Sequence, residues 1–161
     1  MKPVIDRANL GTTCDSLRDE GRTIVFTNGC FDLLHPGHLD LLARSAACGD
    51  VLVVGVNDDA SVRRLKGPKR PIYPVDERTE ILLALRWVDH VTVFTEDTPR
   101  ETIRLVRPDV LVKGAEYKEQ DIVGARFVRS YGGDVVRVPM KKGYATRLLV
   151  QKISKAEAPG S

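Results

Sequence analysis

Two hydrophobic periodicities alternate along the chain, and their order predicts the fold class. Thr23 to Thr27 and Val51 to Val56 are continuous apolar or β-branched runs, the mark of strands covered on both faces in a parallel sheet. Between them, Leu39, Leu42, Ala43 and Ala46 recur at helical spacing from Pro36 to about Ala47, and Gly49 ends that helix. Asp58 to Leu65 reads as a short acid-started helix, and Asp76 is expected to cap a helix to about Leu85 that buries Ile81, Leu82 and Leu85. Val88 to Phe94 is the next strand. Thr98-Pro99-Arg100-Glu101 reads as a capping box with proline at the first helical position, and Pro108 stops that helix. Val110 to Val112, a helix from about Glu119 to Ser130, Val135 to Val138 and a final helix from about Ala145 to Ile153 complete the alternation. A lead-in helix from about Thr12 to Glu20, ended by Gly21, precedes it all.

Strands alternating with helices predict an α/β fold, a doubly wound parallel sheet, as one domain over residues 1–153. A polar, small-residue tail at 154–161 is expected to be disordered. Ligands of such sheets bind beyond the carboxyl ends of the strands, where Asn28, Asn57, Lys113 and the loop from Met140 to Thr146 fall.

Composition narrows the classes. With 161 residues, 42% hydrophobic and 29% charged, the chain has the makings of an ordinary globular core. No apolar run approaches the ~18 residues of a membrane span, and Met1 to Asn9 has no apolar core of a signal peptide. Three cysteines at spacings that match no metal clip point to a reduced, cytoplasmic setting. Cys30 reads as a small apolar residue, not a nucleophile. A net charge of +3 favours anionic ligands mildly and is too small to argue for nucleic acid. GxGxxG and GxxxxGK[ST] motifs are both absent, which removes support for a dinucleotide oxidoreductase or a P-loop NTPase.

The chemistry concentrates between Thr23 and Asp50, where a strand meets a helix through Asn28-Gly29 and Pro36. A helix N-terminus at that junction offers free N–H groups and the positive end of a dipole to phosphate. Of three histidines in the chain, His35 and His38 fall here, spaced to face one side of the new helix. Two such histidines are alternatively plain capping or surface groups. Lys66, Lys69 and Arg70 lie in a proline-rich loop from Lys66 to Pro74, which reads either as a phosphate-closing lid or as a solvated loop.

Gly29-Cys30-Phe31-Asp32-Leu33-Leu34-His35-Pro36-Gly37-His38 resembles the HxGH signature of the nucleotidyltransferase superfamily that includes the cytidylyltransferases. Val56 to Gly67, Leu85-Arg86-Trp87-Val88-Asp89 and Pro108 to Gly114 are similar to the branch of heptose 1-phosphate adenylyltransferases in ADP-heptose and lipopolysaccharide synthesis. The likeness spans about residues 10 to 153. It implies transfer of AMP from ATP, carried with Mg²⁺, to a sugar 1-phosphate, by a stand-alone homodimeric enzyme. It also implies His35, His38 and Lys66 as catalytic groups and Thr27, Asn28, Gly29 and Phe31 as nucleotide contacts. Arg86, Asp89, Lys113, Gly114 and Thr146 would line the base, ribose and phosphate pockets, with Asp32 and Asn57 on the acceptor side. Arg86 and Asp89 read equally as a surface i, i+3 ion pair, and Thr146 as a helix cap.

One departure qualifies the resemblance: the branch's Ser-Thr-Thr stands here as Ala145-Thr146-Arg147. Met140, standing where glycerol-phosphate cytidylyltransferases carry arginine, favours the heptose branch. The alternatives are therefore a cytidylyltransferase acting on glycerol 3-phosphate or another small phosphate, and a nucleotide-binding regulatory module without catalysis.

Overall fold

Five strands, β1 (Ile24–Gly29), β2 (Val51–Asn57), β3 (His90–Phe94), β4 (Val110–Gly114) and β5 (Asp134–Val138), pair in parallel in the order β3-β2-β1-β4-β5. The computed structural model describes residues 3–157. Helices α1 (Arg7–Asp19), α2 (Pro36–Ala46), α3 (Asp59–Lys66), α4 (Val75–Ala84), α5 (Arg100–Val106), α6 (Ala125–Ser130) and α7 (Thr146–Glu157) fill the connections.

Strand positions of alternate parity serve two cores. Ile24, Phe26, Val51, Val53, Leu111 and Val135 pack on one face with Leu10, Cys14, Ile103, Val106 and Val128 from α1, α5 and α6. Val25, Leu52, Val54, Val56, Val110, Val112 and Val138 pack on the other with Leu41, Leu42, Leu82 and Leu83 from α2 and α4. All seven residues of β2 are buried, which is why its sequence shows no polar alternation.

The chain winds outward from β1 to β3, then returns to β4 on the other side of β1, so the strand order reverses between β1 and β4. That reversal is visible as an opening. β1 and β2 pair over six positions up to Gly29 and Val56, whereas the β1–β4 register covers only Val25 with Val110 and Phe26 with Leu111. Beyond Phe26 the two carboxyl ends splay, leaving a crevice at the place where doubly wound sheets bind ligands.

Several local expectations are corrected. α1 starts at Arg7, five residues before Thr12, and β3 starts at His90. α4 is capped by Pro74 without a side-chain bond, and Asp76 sits inside its first turn, favourable there through the helix dipole. The expected capping box at Thr98 does not form; α5 begins after Pro99 with no side-chain cap. Ile81 is exposed and Leu85 half-buried, while Arg78 and Thr79 are buried beside Leu82 and Leu83, because α4 turns a more N-terminal stripe to the sheet. On α2 the buried set is Gly37, Leu41, Leu42 and Ser45, with Leu39, Ala43 and Ala46 half-buried. The helix expected over Glu119 to Ser130 is broken into a 3₁₀ turn at Glu119–Asp121 and α6, since Gly124 takes φ +86° between them. α7 continues past Ile153 to Glu157, so residues 154–157 of the expected tail are helical, and 158–161 lie outside the described residues.

Candidate active site

The site grows from β1. At the carboxyl end of β1 the apolar run gives way to polar residues, and Thr27 Oγ1 and Asn28 Oδ1 are buried and have no hydrogen-bond partner. Nearly all buried polar atoms in folded proteins are paired, so orphans of this kind mark a place for a ligand or ordered water. His38 Nδ1 is a third such atom.

The turn after β1 is strained. Phe31 and Leu33 adopt φ of +47° and +53°, a region that costs a bulky side chain about 1–3 kcal/mol. That path carries the chain into His35, the N-cap of α2, whose Nδ1 accepts from the Gly37 N–H at 3.1 Å. Capping therefore fixes the tautomer: the proton resides on Nε2, which is left to donate. The His35 and His38 rings stack at 3.8 Å between centroids, 22° apart in plane. Gly37 makes this approach possible, since a Cβ there would lie 3.0 Å from the His35 ring and 3.2 Å from Tyr144 Cβ.

Burial lowers the pKa of His35, and burial together with neighbouring His35 pushes His38 down to about 4. At neutral pH the pair is thus two neutral imidazoles rather than two cations. Positive charge comes from across the crevice, where Lys113 of β4 donates to the Asn28 carbonyl at 3.2 Å and lies 5.8 Å above the Tyr117 ring. Burial lowers its ammonium to about 8, partly offset by Glu116. Gly114 follows at the strand end, where the Glu116 carboxylate lies so close that a Cβ would meet it at 2.3 Å.

Asp32 and Asn57 are placed differently from the acceptor contacts expected. The Asp32 carboxylate is buried and consumed internally, accepting from Arg70 Nε at 2.7 Å, Ile72 N at 2.8 Å and Tyr73 N at 3.0 Å. Burial alone would raise its pKa; the Tyr73 and Ile72 N–H groups and Arg70 outweigh that and hold it below the usual carboxylate range. Asn57 donates Nδ2 to Ser61 Oγ at 3.0 Å and is 4% exposed, so its amide braces the start of α3. Lys66 is the exposed last residue of α3, not part of the loop, and its charge reaches the Cys30 thiol, whose pKa burial raises and Lys66 opposes. Thr146 starts α7 and donates to the Asp32 carbonyl at 3.2 Å, tying that helix to the turn.

Arg86 and Asp89 fall outside the site. α4 runs antiparallel to the strands, so the residues after it emerge at the amino-terminal edge of the sheet. There Asp89 accepts from Leu52 N at 2.9 Å, five residues and about 16 Å of strand before Asn57. Arg86 is exposed and lies over the Trp87 ring at 5.0 Å.

A cytidylyltransferase-like family model matches residues 26–144, from the core of β1 to Tyr144. The chain belongs to the cytidylyltransferase-like family. Bifunctional protein HldE of Syntrophotalea carbinolica is 48% identical over 147 residues, and that of Gluconobacter oxydans is 52% identical over 142. These alignments cover 91% and 88% of this chain but only 30% of each relative, so the chain spans about a third of their length. Among solved structures, a lipopolysaccharide core biosynthesis protein from Thermoplasma volcanium is 30% identical with a TM-score of 0.63, over 76% of this chain and 100% of that one. Pantoate-beta-alanine ligase from Francisella tularensis shares only the fold, at 15% identity and a TM-score of 0.64 over 92% and 73% of the two chains.

The family match takes in the β1 end, the signature turn, both histidines, Lys66 and Lys113; Thr146 lies two residues beyond it. Two groups at this site were not foreseen. Tyr144 stacks near His35 at 6.3 Å between centroids, and its signal was its place in the Met140 to Thr146 loop, two residues before the helix-opening Thr146. Arg78 is fully buried behind the turn, and its signal was a lone arginine four residues before Leu82 on the sheet-facing side of α4.

Proposed function

We propose that this family member transfers AMP from ATP to a sugar 1-phosphate, heptose 1-phosphate being the acceptor, with release of pyrophosphate. In that reaction an acceptor phosphate oxygen forms a bond to the α-phosphorus while the bond to the α–β bridging oxygen breaks and pyrophosphate departs. Such transfer depends on positioning and charge stabilisation more than on covalent help. The observation that carries the proposal is that buried, unpaired polar atoms of Thr27 and Asn28 at the carboxyl end of β1, and of His38 in the first turn of α2, flank the signature turn beside the point where the β1–β4 register stops. Neutral His35 donating through Nε2 and His38 beside it suit hydrogen bonds to the α-phosphate, and Lys113 with Lys66 supplies cationic charge. Thr27, Asn28, Gly29 and Phe31 are the proposed nucleotide contacts, Gly114 lines the phosphate side, and Tyr144 covers the mouth.

Mg²⁺ enters as part of the nucleotide substrate. Among the described residues no three carboxylate, imidazole or thiol side chains converge as a metal cage, and no step is assigned to a protein-held ion. No helix of the described residues is long and apolar enough to cross a membrane. Cytoplasmic location, supported by the cysteine spacings, and a homodimer, supported by the family resemblance, complete the proposal, and sedimentation of the purified chain tests the second.

The deciding experiment measures pyrophosphate release with ATP and with CTP against a panel of sugar and polyol phosphates. ATP with heptose 1-phosphate should be preferred by a large factor, since base-reading hydrogen bonds discriminate by up to ~10⁴ when the wrong base leaves them unpaired. Comparable kcat/KM for CTP, or faster use of glycerol 3-phosphate, would replace this reading with the glycerol-phosphate one.

A further inference from the structure

Behind the signature turn lies a charged group that the chemistry above does not use. The Arg78 side chain is 0% exposed, and its guanidinium makes bonds to four separate segments. Nε donates to the Tyr73 carbonyl at 3.0 Å, Nη1 to the Cys30 carbonyl at 2.6 Å and the Asn57 carbonyl at 2.8 Å, and Nη2 to Asp59 Oδ1 at 2.8 Å. Those segments are the signature turn, the end of β2, the start of α3 and the loop that follows α3.

Stability alone does not account for this arrangement. A buried ion pair repays its desolvation only with near-perfect geometry, and apolar residues of similar volume often serve as well. What an apolar residue cannot do is hold three carbonyls from three segments in one plane, which is the particular capacity of the planar guanidinium fork. The carbonyl held on Cys30 immediately precedes Phe31, whose φ of +47° is the strained step that turns the chain toward His35. The acid held on Asp59 is the first residue of α3, whose last residue is Lys66. The two peptide groups flanking the Tyr73 Cα are both held, the N–H by Asp32 and the carbonyl by Arg78.

We propose that Arg78 is a positioning residue of the transfer reaction: one guanidinium fixes the height of the His35–His38 pair relative to Lys66 and closes the loop between Gly67 and Tyr73 against the turn. The proposal rests on the nucleotidyltransfer reading for its kinetic consequence but not for its geometric one. Arg78 touches no substrate in this scheme; it acts through the Cys30, Asn57 and Tyr73 carbonyls.

The test compares Arg78→Lys and Arg78→Ala with Arg18→Gln, a control that removes another carbonyl-holding arginine on the α1–α5 side, where Arg18 bonds the Val106 and Arg107 carbonyls. Melting temperature, nucleotide Kd, kcat and the NMR signals of the His35 and His38 rings are measured for each. Arg78→Lys should remain folded at 25 °C and lose kcat by ~10² with a much smaller change in ATP Kd, as expected for a misplacement of about 1 Å. Its His38 ring should shift and titrate closer to 6.5 than in the wild type. Millimolar methylguanidinium should restore kcat at least about tenfold in Arg78→Ala, because the cavity left behind matches the added ion. Arg18→Gln should lower the melting temperature and leave kcat and the ring signals as they were.

Unmoved histidine signals in folded Arg78→Lys, or a kcat loss that merely follows the unfolded fraction, would reduce Arg78 to a structural part and overturn the proposal. If Arg78→Ala does not fold, Arg78→Lys decides alone. Should the wild type turn over no sugar phosphate, the reading of the substrate fails while the ring signals still answer for Arg78.

Discussion

Gly37 shows how one missing side chain shapes chemistry. Gly37→Ala raises intrinsic helix propensity by ~1 kcal/mol in a helix interior, so by that measure it should stabilise α2. Its new Cβ would press on the His35 ring at 3.0 Å and on Tyr144 at 3.2 Å, and the ring is the part able to move. The expected outcome is a melting temperature within a few degrees of the wild type and a kcat lower by ~10- to 100-fold. Steady-state kinetics beside a thermal melt checks it; normal turnover would mean that the His35 position is not critical.

His38 gives a prediction in pH. Its folded-state pKa of about 4 lies below the ordinary value of 6.5, so the unfolded chain takes up the proton first as pH falls. The contribution of neutral, buried His38 is fully present above pH 6.5 and is lost progressively between pH 6.5 and about 4. Ring-proton NMR should place the His38 midpoint well below the ordinary 6.5, and His38→Ala should flatten the acid limb of the stability curve while lowering kcat by ~10². Histidine spacing was legible in the sequence. The Arg78 hub was not, because its partners are four backbone and side-chain oxygens brought together only by tertiary folding.

At the scale of elements, the loop after α3 is the clearest revision. Read from sequence as either a basic lid or a solvated loop from Lys66 to Pro74, the segment is pinned at its far end by Asp32 and Arg78. At its near end Gly67 donates to the Arg63 carbonyl and accepts from the Arg70 N–H, which leaves Pro68 and Lys69 as its exposed tip. Asp32→Asn should leave Arg70 without its buried counter-charge and cost ~3–5 kcal/mol. Hydrogen exchange at Ile72 and Tyr73 should speed up at the same time; protection equal to the wild type would show that the loop holds by other means. The opposite edge offers the contrast. Asp89→Ala should cost about 1 kcal/mol through the orphaned Leu52 N–H, and neither it nor Arg86→Ala should change ATP affinity, measured by calorimetry.

Strands and crossover helices were readable because apolar runs and helical spacing are properties of contiguous sequence. Their caps were less so. Asp76 and Glu101 both suggested side-chain caps, yet prolines at 74 and 99 take the N-cap positions and leave the acids inside the first turn. Arg86 and Asp89 were expected as ligand contacts from a motif that carries no direction; the fold places Asp89 beside Leu52, at the edge of the sheet where β2 begins.

For the molecule as a whole, saturation with ATP at about 100 times its Kd should add ~2.7 kcal/mol to stability, a rise of several degrees in melting temperature for a chain of this size. Pyrimidine nucleotides at equal concentration should add less if the base is read.

The short register between β1 and β4 has a consequence for assembly of the molecule itself. The three strands β1, β2 and β3 come from residues before 95 and pair with one another, while Lys113, Gly114 and Thr146 come from beyond 100. Half of the crevice is therefore built by each half of the polypeptide, and the strands of the two halves pair at two positions, Val25 with Val110 and Phe26 with Leu111, beside the core that α1, α5 and α6 share. Contacts between residues so distant in sequence form late and slowly. Nucleotide binding should accordingly be the last signal to return on refolding, after the far-ultraviolet spectrum has recovered. A chain nicked between the exposed Asp97 and Thr98 should bind nucleotide only when both fragments are mixed, and binding by the first fragment alone would disprove the division.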